Sequence, residues 1–327
     1  MKIAIKKEVD DEKMNKPTFL MLVGLPASGK STMSKGLAKE YDATIFSSDA
    51  LREEMFGNVN DQGHNQELFA ELHRRIKDCL RSGKSAIYDA CNISYKRRMS
   101  FLAELKNISC EKICILMATP YEWCLERNAK RERQVPEDVI ERMYRGFDVP
   151  WYYEGWDRIE VEYAPGAKNF HGLAQDWAEN IKTYNQDNSH HDLTLGEHCL
   201  QAVRYVNMYE HIHADYGIQS ACPTELMYAA MLHDEGKPHC KTFRNAKGEV
   251  SEEAHYYNHE RVGSYDSLFY EMDCYNLRVA VVIRWHMQPY FWEKDNNEKL
   301  HNKYRRLWGE DLWHDIVTLH NSDKAAH

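Results

Sequence analysis

The stretch TFLMLVG (18–24) running into GLPASGKS (24–31) decides how the first half of the chain is read. An apolar run stops at Gly24, and a helix-compatible run, STMSKGLAKEY, starts at Ser31. A short strand that ends in a glycine turn and opens a helix is the setting in which G-x-x-x-x-G-K-[ST] binds phosphate. Gly24 and Gly29 let the loop curl so that its backbone N–H groups point inward at phosphate oxygens. The helix N-terminus adds partial positive charge. In this reading Gly24, Ser28, Gly29, Lys30, Ser31 and Thr32 hold a nucleoside triphosphate. Lys30 reaches the β- and γ-phosphates and the Ser31 hydroxyl holds Mg²⁺.

Working outward from that loop, ATIFSS (43–48), SAIYDA (85–90), KICILMA (112–118) and RIEVEYA (158–164) read as further strands. The run NQELFAELHRRIKDCLRSG (65–83) is an amphipathic helix closed by Gly83. Strands separated by helices predict a parallel sheet with helices on both faces. The second half loses that alternation. Five stretches, beginning at Gly196, Thr224, Tyr256, Tyr275 and Tyr304, all read as helices. The expectation is an α/β domain over 17–183 and an all-α domain over 184–327. The boundary falls in the polar stretch KTYNQDNSHH (182–191), and each half is expected to carry its own core.

Composition is that of an ordinary globular protein: 327 residues, 43% hydrophobic and 28% charged. No apolar stretch approaches the roughly 20 residues a membrane helix needs. The first residues, MKIAIKKEVDDEKMNK, lack an apolar signal core and read as a polar tail on a cytoplasmic protein. Nine cysteines without a C-x-x-C pair read as reduced thiols. The net charge of -9 excludes a generic nucleic-acid coater. Almost all of it falls after residue 186, since residues 1–186 hold 28 Lys+Arg against 29 Asp+Glu. Ten of the 17 histidines lie between His190 and His286.

What accepts the phosphate is read from the next motifs. In SSDALR, Asp49 and Arg52 are three apart on an opening helical turn and share a face. A carboxylate there can take the proton of an attacking hydroxyl while the arginine holds a neighbouring phosphate. The same spacing fits helix capping by Ser48 or Asp49 with a solvated Arg52, and spacing alone does not choose. YDACN places Asp89 and Asn92 at the C-terminal edge of the sheet, where ligands bind in such folds; Asp89 there can serve Mg²⁺ or orient the acceptor. Further on, Arg127 and Arg131 are i, i+4 and predict cations on one face of a lid helix. Arg133, Arg142 and Arg145 fit a solvated, Glu-laced helix equally well.

GLPASGKST, SSDALR, YDACN and ERNAKR…VP, in this order, resemble the 5′-hydroxyl polynucleotide kinase family over most of residues 18–165. The resemblance implies that Lys30 and Ser31 serve ATP and Mg²⁺ and that Asp49 is the general base. It further implies that Arg52 contacts a phosphate of the acceptor and that Arg127 and Arg131 act from the lid.

The second half holds His198, the pair His233-Asp234, His259, His286 and Asp323, each in or at the end of an expected helix. Imidazole and carboxylate together suit a divalent transition metal, and ligands from several helices can converge in a bundle. His190, His191, His239 and His255 are weaker candidates; His255 is expected to meet substrate or solvent. The order H…HD…H…H…D resembles the HD phosphohydrolase superfamily over roughly 190–325. The resemblance implies a first metal on His198, His233, Asp234 and Asp323. It implies a second on His259 and His286 bridged by Asp234, and a phosphate contact from Lys237. One or two ions of Mn, Ni, Co, Fe or Zn are then the expected cofactors.

Together the two halves resemble bifunctional end-healing enzymes. The expected substrates are RNA or DNA ends carrying a 5′-OH and a 2′,3′-cyclic phosphate, with a separate ligase as partner and no membrane. Two other readings fit the same motifs. One is a small-molecule or nucleoside kinase joined to an HD nucleotidase. The other is a phosphate loop that senses NTP and gates the second half.

Overall fold

The structure, a computed structural model, describes residues 16–172, 177, 179–188, 192–214 and 219–326. Residues 1–15 of the expected tail, and His190 and His191, lie outside the described residues. Five strands form one parallel sheet: β1 (Thr18–Val23), β2 (Ala43–Ser47), β3 (Ser85–Asp89), β4 (Glu111–Ala118) and β5 (Arg158–Tyr163). Their order is β2-β3-β1-β4-β5. Every residue of β1 is buried, as its unbroken apolar run requires of a central strand covered on both faces. Met21 lies in register with Tyr88 on one side and Cys114 on the other. The crossovers are α1 (Lys30–Glu40), α2 (Ser48–Phe56), α3 (Asn65–Arg81), α4 (Tyr95–Glu104), α5 (Tyr121–Ala129) and α6 (Glu137–Tyr144). In α3, Leu68, Leu72, Ile76 and Leu80 repeat every four residues and are buried.

The second half contains α7 (Leu195–Ala214), α8 (Pro223–Leu232), α9 (Lys237–Cys240) and α10 (His259–Asp266). It continues with α11 (Asn276–Trp285), α12 (Gln288–Lys294) and α13 (Glu298–Ala325). All of α11 except Arg278 is buried, which makes it the central helix of this half. α13 bends at Gly309, whose φ of 76° breaks the helical path.

The all-α expectation needs correction. A hairpin of β6 (Thr242–Arg244) and β7 (Val250–His255) interrupts the helices. Asn245 Oδ1 accepts the N–H of Lys247 at 2.9 Å and of Glu249 at 3.0 Å, and Gly248 supplies a φ of 83°. That is a side-chain-closed turn, which helical periodicity cannot express. The helix expected from Tyr256 also starts late, because Asn258 at φ 68° stands left-handed before His259.

Separate cores are not found either. A small apolar cluster around Leu20, Ile87, Ile115 and Met117 lies on one face of the sheet. The other face is continuous with the helical half. There Phe147 meets Tyr265 with ring centroids 4.6 Å apart. Polar bonds line the same seam. Arg284 Nε donates to Asp148 Oδ1 at 2.7 Å, and Arg261 Nη1 to the Gly146 carbonyl at 3.1 Å. Tyr265 Oη donates to the Thr119 carbonyl at 2.7 Å, and Arg145 Nη2 to the Tyr257 carbonyl at 3.1 Å. All nine cysteines are free thiols. Among the described residues no helix is long and apolar enough to cross a membrane.

Candidate functional sites at the phosphate loop and in the helical half

β1 delivers the chain to Gly24 at the C-terminal edge of the sheet. A Cβ on Gly24 would lie 2.7 Å from Ser28 Oγ and 2.9 Å from Met117 Cβ, so only glycine fits. Gly29 opens α1 with a φ of 101°, and Thr32 N donates back to the Gly29 carbonyl at 3.1 Å. Thr119 Oγ1 anchors the loop from outside by donating to the Ser28 carbonyl at 3.1 Å. Lys30 curls over the loop, its Nζ 3.0 Å from the Gly24 carbonyl and 2.6 Å from that of Leu25. Asp89 is buried at the end of β3 beside Ser31 and Ser34, with Ser34 Oγ donating to it at 3.4 Å. Burial raises the Asp89 pKa, against the pull of Lys30 and the two hydroxyls. Ser31 and Asp89 are therefore an oxygen pair fit for Mg²⁺. Asn92 is occupied otherwise: its amide donates to the Leu22 carbonyl at 2.9 Å and fastens the strand.

Asp49 stands in the first turn of α2, half exposed, and Ser47 rather than Ser48 or Asp49 caps the helix. Its Oδ1 is 3.2 Å from Arg52 Nη1, and its Oδ2 is 3.0 Å from Arg133 Nη1. Arg52 is buried; its Nη2 donates to Asn65 Oδ1 at 3.0 Å, while its Nε has no partner among the described residues. Arg133 also donates to Asn60 Oδ1 at 2.9 Å and to the Val59 carbonyl at 3.2 Å. Sequence spacing gave no signal for Arg133, because its partner lies 84 residues away.

The shared helical face of Arg127 and Arg131 is not found. α5 ends at Ala129, so Arg131 lies beyond it on an exposed bend, while Arg127 sits 5.8 Å from the Trp123 ring centroid. Asn128 closes this bend by bonding Val135 through both its amide nitrogen, at 2.8 Å, and its oxygen, at 2.9 Å.

In the helical half the six candidate ligands do meet. α7 brings His198, the end of α8 brings His233 and Asp234, α10 brings His259, the end of α11 brings His286, and α13 brings Asp323. His198 Nε2 lies 3.2 Å from His233 Nε2, 3.3 Å from Asp234 Oδ2 and 3.1 Å from Asp323 Oδ1. His259 Nε2 lies 3.1 Å from Asp234 Oδ1 and 3.4 Å from His286 Nε2. Asp234 thus belongs to two adjoining groups, one with His198, His233 and Asp323, the other with His259 and His286.

The outer nitrogens are held by backbone. Nδ1 of His233, His259 and His286 faces the carbonyls of Ala230, Tyr256 and Ile283 at 2.8, 2.8 and 2.7 Å. A carbonyl partner puts the proton on Nδ1 and turns the Nε2 lone pair inward. Lone pairs this close repel unless a cation or a proton lies between them. Zinc-type ions bind imidazole nitrogen at about 2.0–2.1 Å, which spaces neighbouring ligand atoms by about these distances. The donor set therefore fits divalent transition metals.

Charge follows the same balance. Burial opposes an ionised Asp234, but Lys237 and the imidazoles outweigh it and hold its pKa well below the usual carboxylate range. Burial also lowers His198, His233 and His259, and the carboxylates raise them above the ordinary value instead. His286 goes the other way: burial, then His233 and His259, push it down to about 3. Lys237 Nζ lies 2.7 Å from both Asp234 Oδ2 and Gln186 Oε1. Nothing local in the sequence marks Gln186. His255 bonds Ser251 and His239 pairs with Glu141, so neither joins the cluster.

Residues 19–150 match the family model described as an AAA domain. An L-seryl-tRNA(Sec) kinase of Methanococcus maripaludis is 29% identical over 148 residues, 44% of this chain and 57% of that protein. Protein kti12 of Schizosaccharomyces pombe is 25% identical over 152 residues, 42% of this chain and 54% of that protein. The chain thus spans about half the length of these curated relatives. Among solved structures, a kinase-like protein from Chloroflexus aurantiacus is 19% identical with a TM-score of 0.38, covering 45% of this chain and 88% of that one. A chain of the Pnkp1/Rnl/Hen1 RNA repair complex is 20% identical with a TM-score of 0.36, covering 42% of this chain and 45% of that one. The first half thus carries a phosphate-loop motif on a parallel sheet and matches an AAA-domain model over residues 19–150, and it is joined to a helical second half.

Proposed function

We propose that the chain is an end-healing enzyme that phosphorylates 5′-OH ends of RNA or DNA with ATP and hydrolyses 2′,3′-cyclic or terminal phosphate at the His/Asp centre. We take residues 17–183 and 184–327 as the two domains. The observation that carries the reading is the pairing, in one chain, of a phosphate loop facing a carboxylate between two arginines with a buried centre of four histidines and two aspartates. On the kinase side Lys30 leaves its carbonyl partners for the β- and γ-phosphates, and Ser31 with Asp89 would hold Mg²⁺. Asp49 accepts the proton of the attacking hydroxyl. Arg52 holds the next phosphate of the strand, and Arg127 and Arg131 neutralise charge from the lid.

On the other side His198, His233, Asp234 and Asp323 would hold one divalent metal, and Asp234, His259 and His286 a second. Such ions supply Lewis-acid activation of water and of the phosphoester. Lys237, fixed by Gln186, binds the phosphate charge. A relative whose name is a seryl-tRNA kinase is consistent with an acceptor carried on RNA. The shared apolar seam favours the gating alternative, in which the phosphate loop regulates the second half. One assay separates the readings. The chain with ATP and Mg²⁺ should phosphorylate a 5′-OH oligonucleotide better than a nucleoside or sugar. With Mn²⁺, Ni²⁺ or Co²⁺ it should open a 2′,3′-cyclic phosphate. Preference for a free nucleoside favours the metabolic pair, and ATP-dependent phosphoesterase activity without kinase activity favours gating.

A further inference from the structure

The second half has more ligating side chains than its His/Asp centre uses. Glu210 and His213 are three apart on α7 and so share a helical face. His314 reaches them from α13, and the three offer ligand atoms that all lie within 4.8 Å of one another. Glu210 Oε1 is 2.7 Å from His314 Nε2, and the rings of His213 and His314 are 5.4 Å apart at their centroids. His213 Nδ1 is buried without a hydrogen-bond partner among the described residues. An imidazole nitrogen removed from water and left unpaired is a donor atom waiting for a Lewis acid or a proton. Glu210 is held in place from the other side, since its Oε2 accepts the Ser220 N–H at 2.7 Å.

Glu210 also borders open space. A cavity of about 320 Å³ opens beside Glu210, lined also by Asn207, His211 and Gln219. Two imidazoles and a carboxylate suit Zn²⁺ or a close relative, not Mg²⁺ or Ca²⁺, which prefer all-oxygen shells.

We propose that Glu210, His213 and His314 form a separate zinc-type metal site that ties the C-terminal end of α7 to α13. The placement gives it a consequence. α7 and α13 run antiparallel, and the same two helices meet at their other ends through His198 and Asp323. An ion at Glu210, His213 and His314 sets the spacing of the helix pair on which two ligands of the His/Asp centre are mounted.

The test uses the full chain, stripped of metal and titrated with Co²⁺ while visible absorption and bound metal are followed. The Asp234→Ala variant, which loses the shared ligand of the His/Asp centre, should still bind one Co²⁺ with a visible ligand-field band. The triple variant Asp234→Ala/His213→Ala/His314→Ala should lose that ion and its band. Because doubly truncated helices can fail to fold, Asp234→Ala/Glu210→Gln is the second variant. It keeps shape, and its Co²⁺ affinity should fall by roughly 10-fold or more. Equal Co²⁺ stoichiometry and spectrum with and without His213 and His314, or unchanged affinity in the Glu210→Gln background, would overturn the proposal.

Discussion

The two sites are built on opposite plans. The phosphate loop is a contiguous run, residues 24–31, whose working groups are largely backbone N–H donors. Its acceptor side, at Asp49, is half exposed. The His/Asp centre draws six side chains from residues 198 to 323 and is almost wholly shielded from water. A site made of backbone needs one local conformation, so it can be reshaped by a single glycine. A site made of convergent side chains needs five helices in place, so its integrity is that of the whole half.

The sharpest test of this contrast is to remove one group from each. On the proposed function, Lys30→Ala should abolish phosphoryl transfer and spare the proposed phosphoesterase. Asp234→Ala should take the bridging ligand, abolish the phosphoesterase and leave the kinase close to normal. A two-by-two assay of both variants on both reactions reads this out, with circular dichroism as the check on folding. Loss of both activities in one folded variant breaks the contrast and supports gating. Next in size is Asp49→Asn, which keeps the shape and removes the base. Its kcat should fall by roughly 10²- to 10⁴-fold with ATP affinity largely kept. Near-normal turnover on a 5′-OH strand would sink the base assignment.

The contrast in chemistry does not extend to stability, because the two halves share a core. Asp148 is buried beneath Arg284 and Arg261, and Tyr95 N also donates to it at 3.2 Å. Asp148→Ala strands the buried Arg284 and should cost about 3–5 kcal/mol in urea unfolding. The wild-type chain should unfold in one transition; two well-separated transitions would restore independent halves.

A pH dependence arises at the same seam. Burial raises Asp266 from 3.8 to about 8, although Tyr144 donates a hydrogen bond to it. Between those values the folded chain keeps a proton that the unfolded chain has lost. The unfolded state therefore binds fewer protons, and this group's contribution to stability falls as pH rises from about 4 to about 8. Asp266→Asn should raise the midpoint of thermal unfolding relative to wild type at pH 8 by a few degrees and change it little at pH 5. Equal shifts at both pH values would show that Asp266 does not titrate in this window.

The five strands and the phosphate loop were legible because each is a local pattern: an apolar run, a glycine turn, a helix start. The six candidate histidine and aspartate ligands are legible by residue type and order, although only the folded helices show that they meet. Arg133, Gln186 and Thr119 were not legible, since each acts on a residue far away in sequence and has an ordinary local context. The hairpin at 242–255 escaped because its strands are short and its turn is closed by the side chain of Asn245. The seam escaped for a different reason. Phe147 and Tyr265 look like core residues of their own halves, and nothing in either pattern says that they face each other.

Fastening α6 to the second half changes how the first half, on the proposed reading, must close over nucleotide. Glu141, Arg145, Gly146 and Asp148 all bond residues of the helical half, so the arm beyond the bend is already docked. Asn128 and Val135 clamp the bend at its base. Closure over nucleotide is then left to the few side chains between them, Arg131 and Arg133 above all. The ordering entropy of such an arm is lost when the chain folds, not when ATP arrives. Nucleotide binding should accordingly show a small heat-capacity change and an association rate set by encounter, with no slow step for an arm to swing.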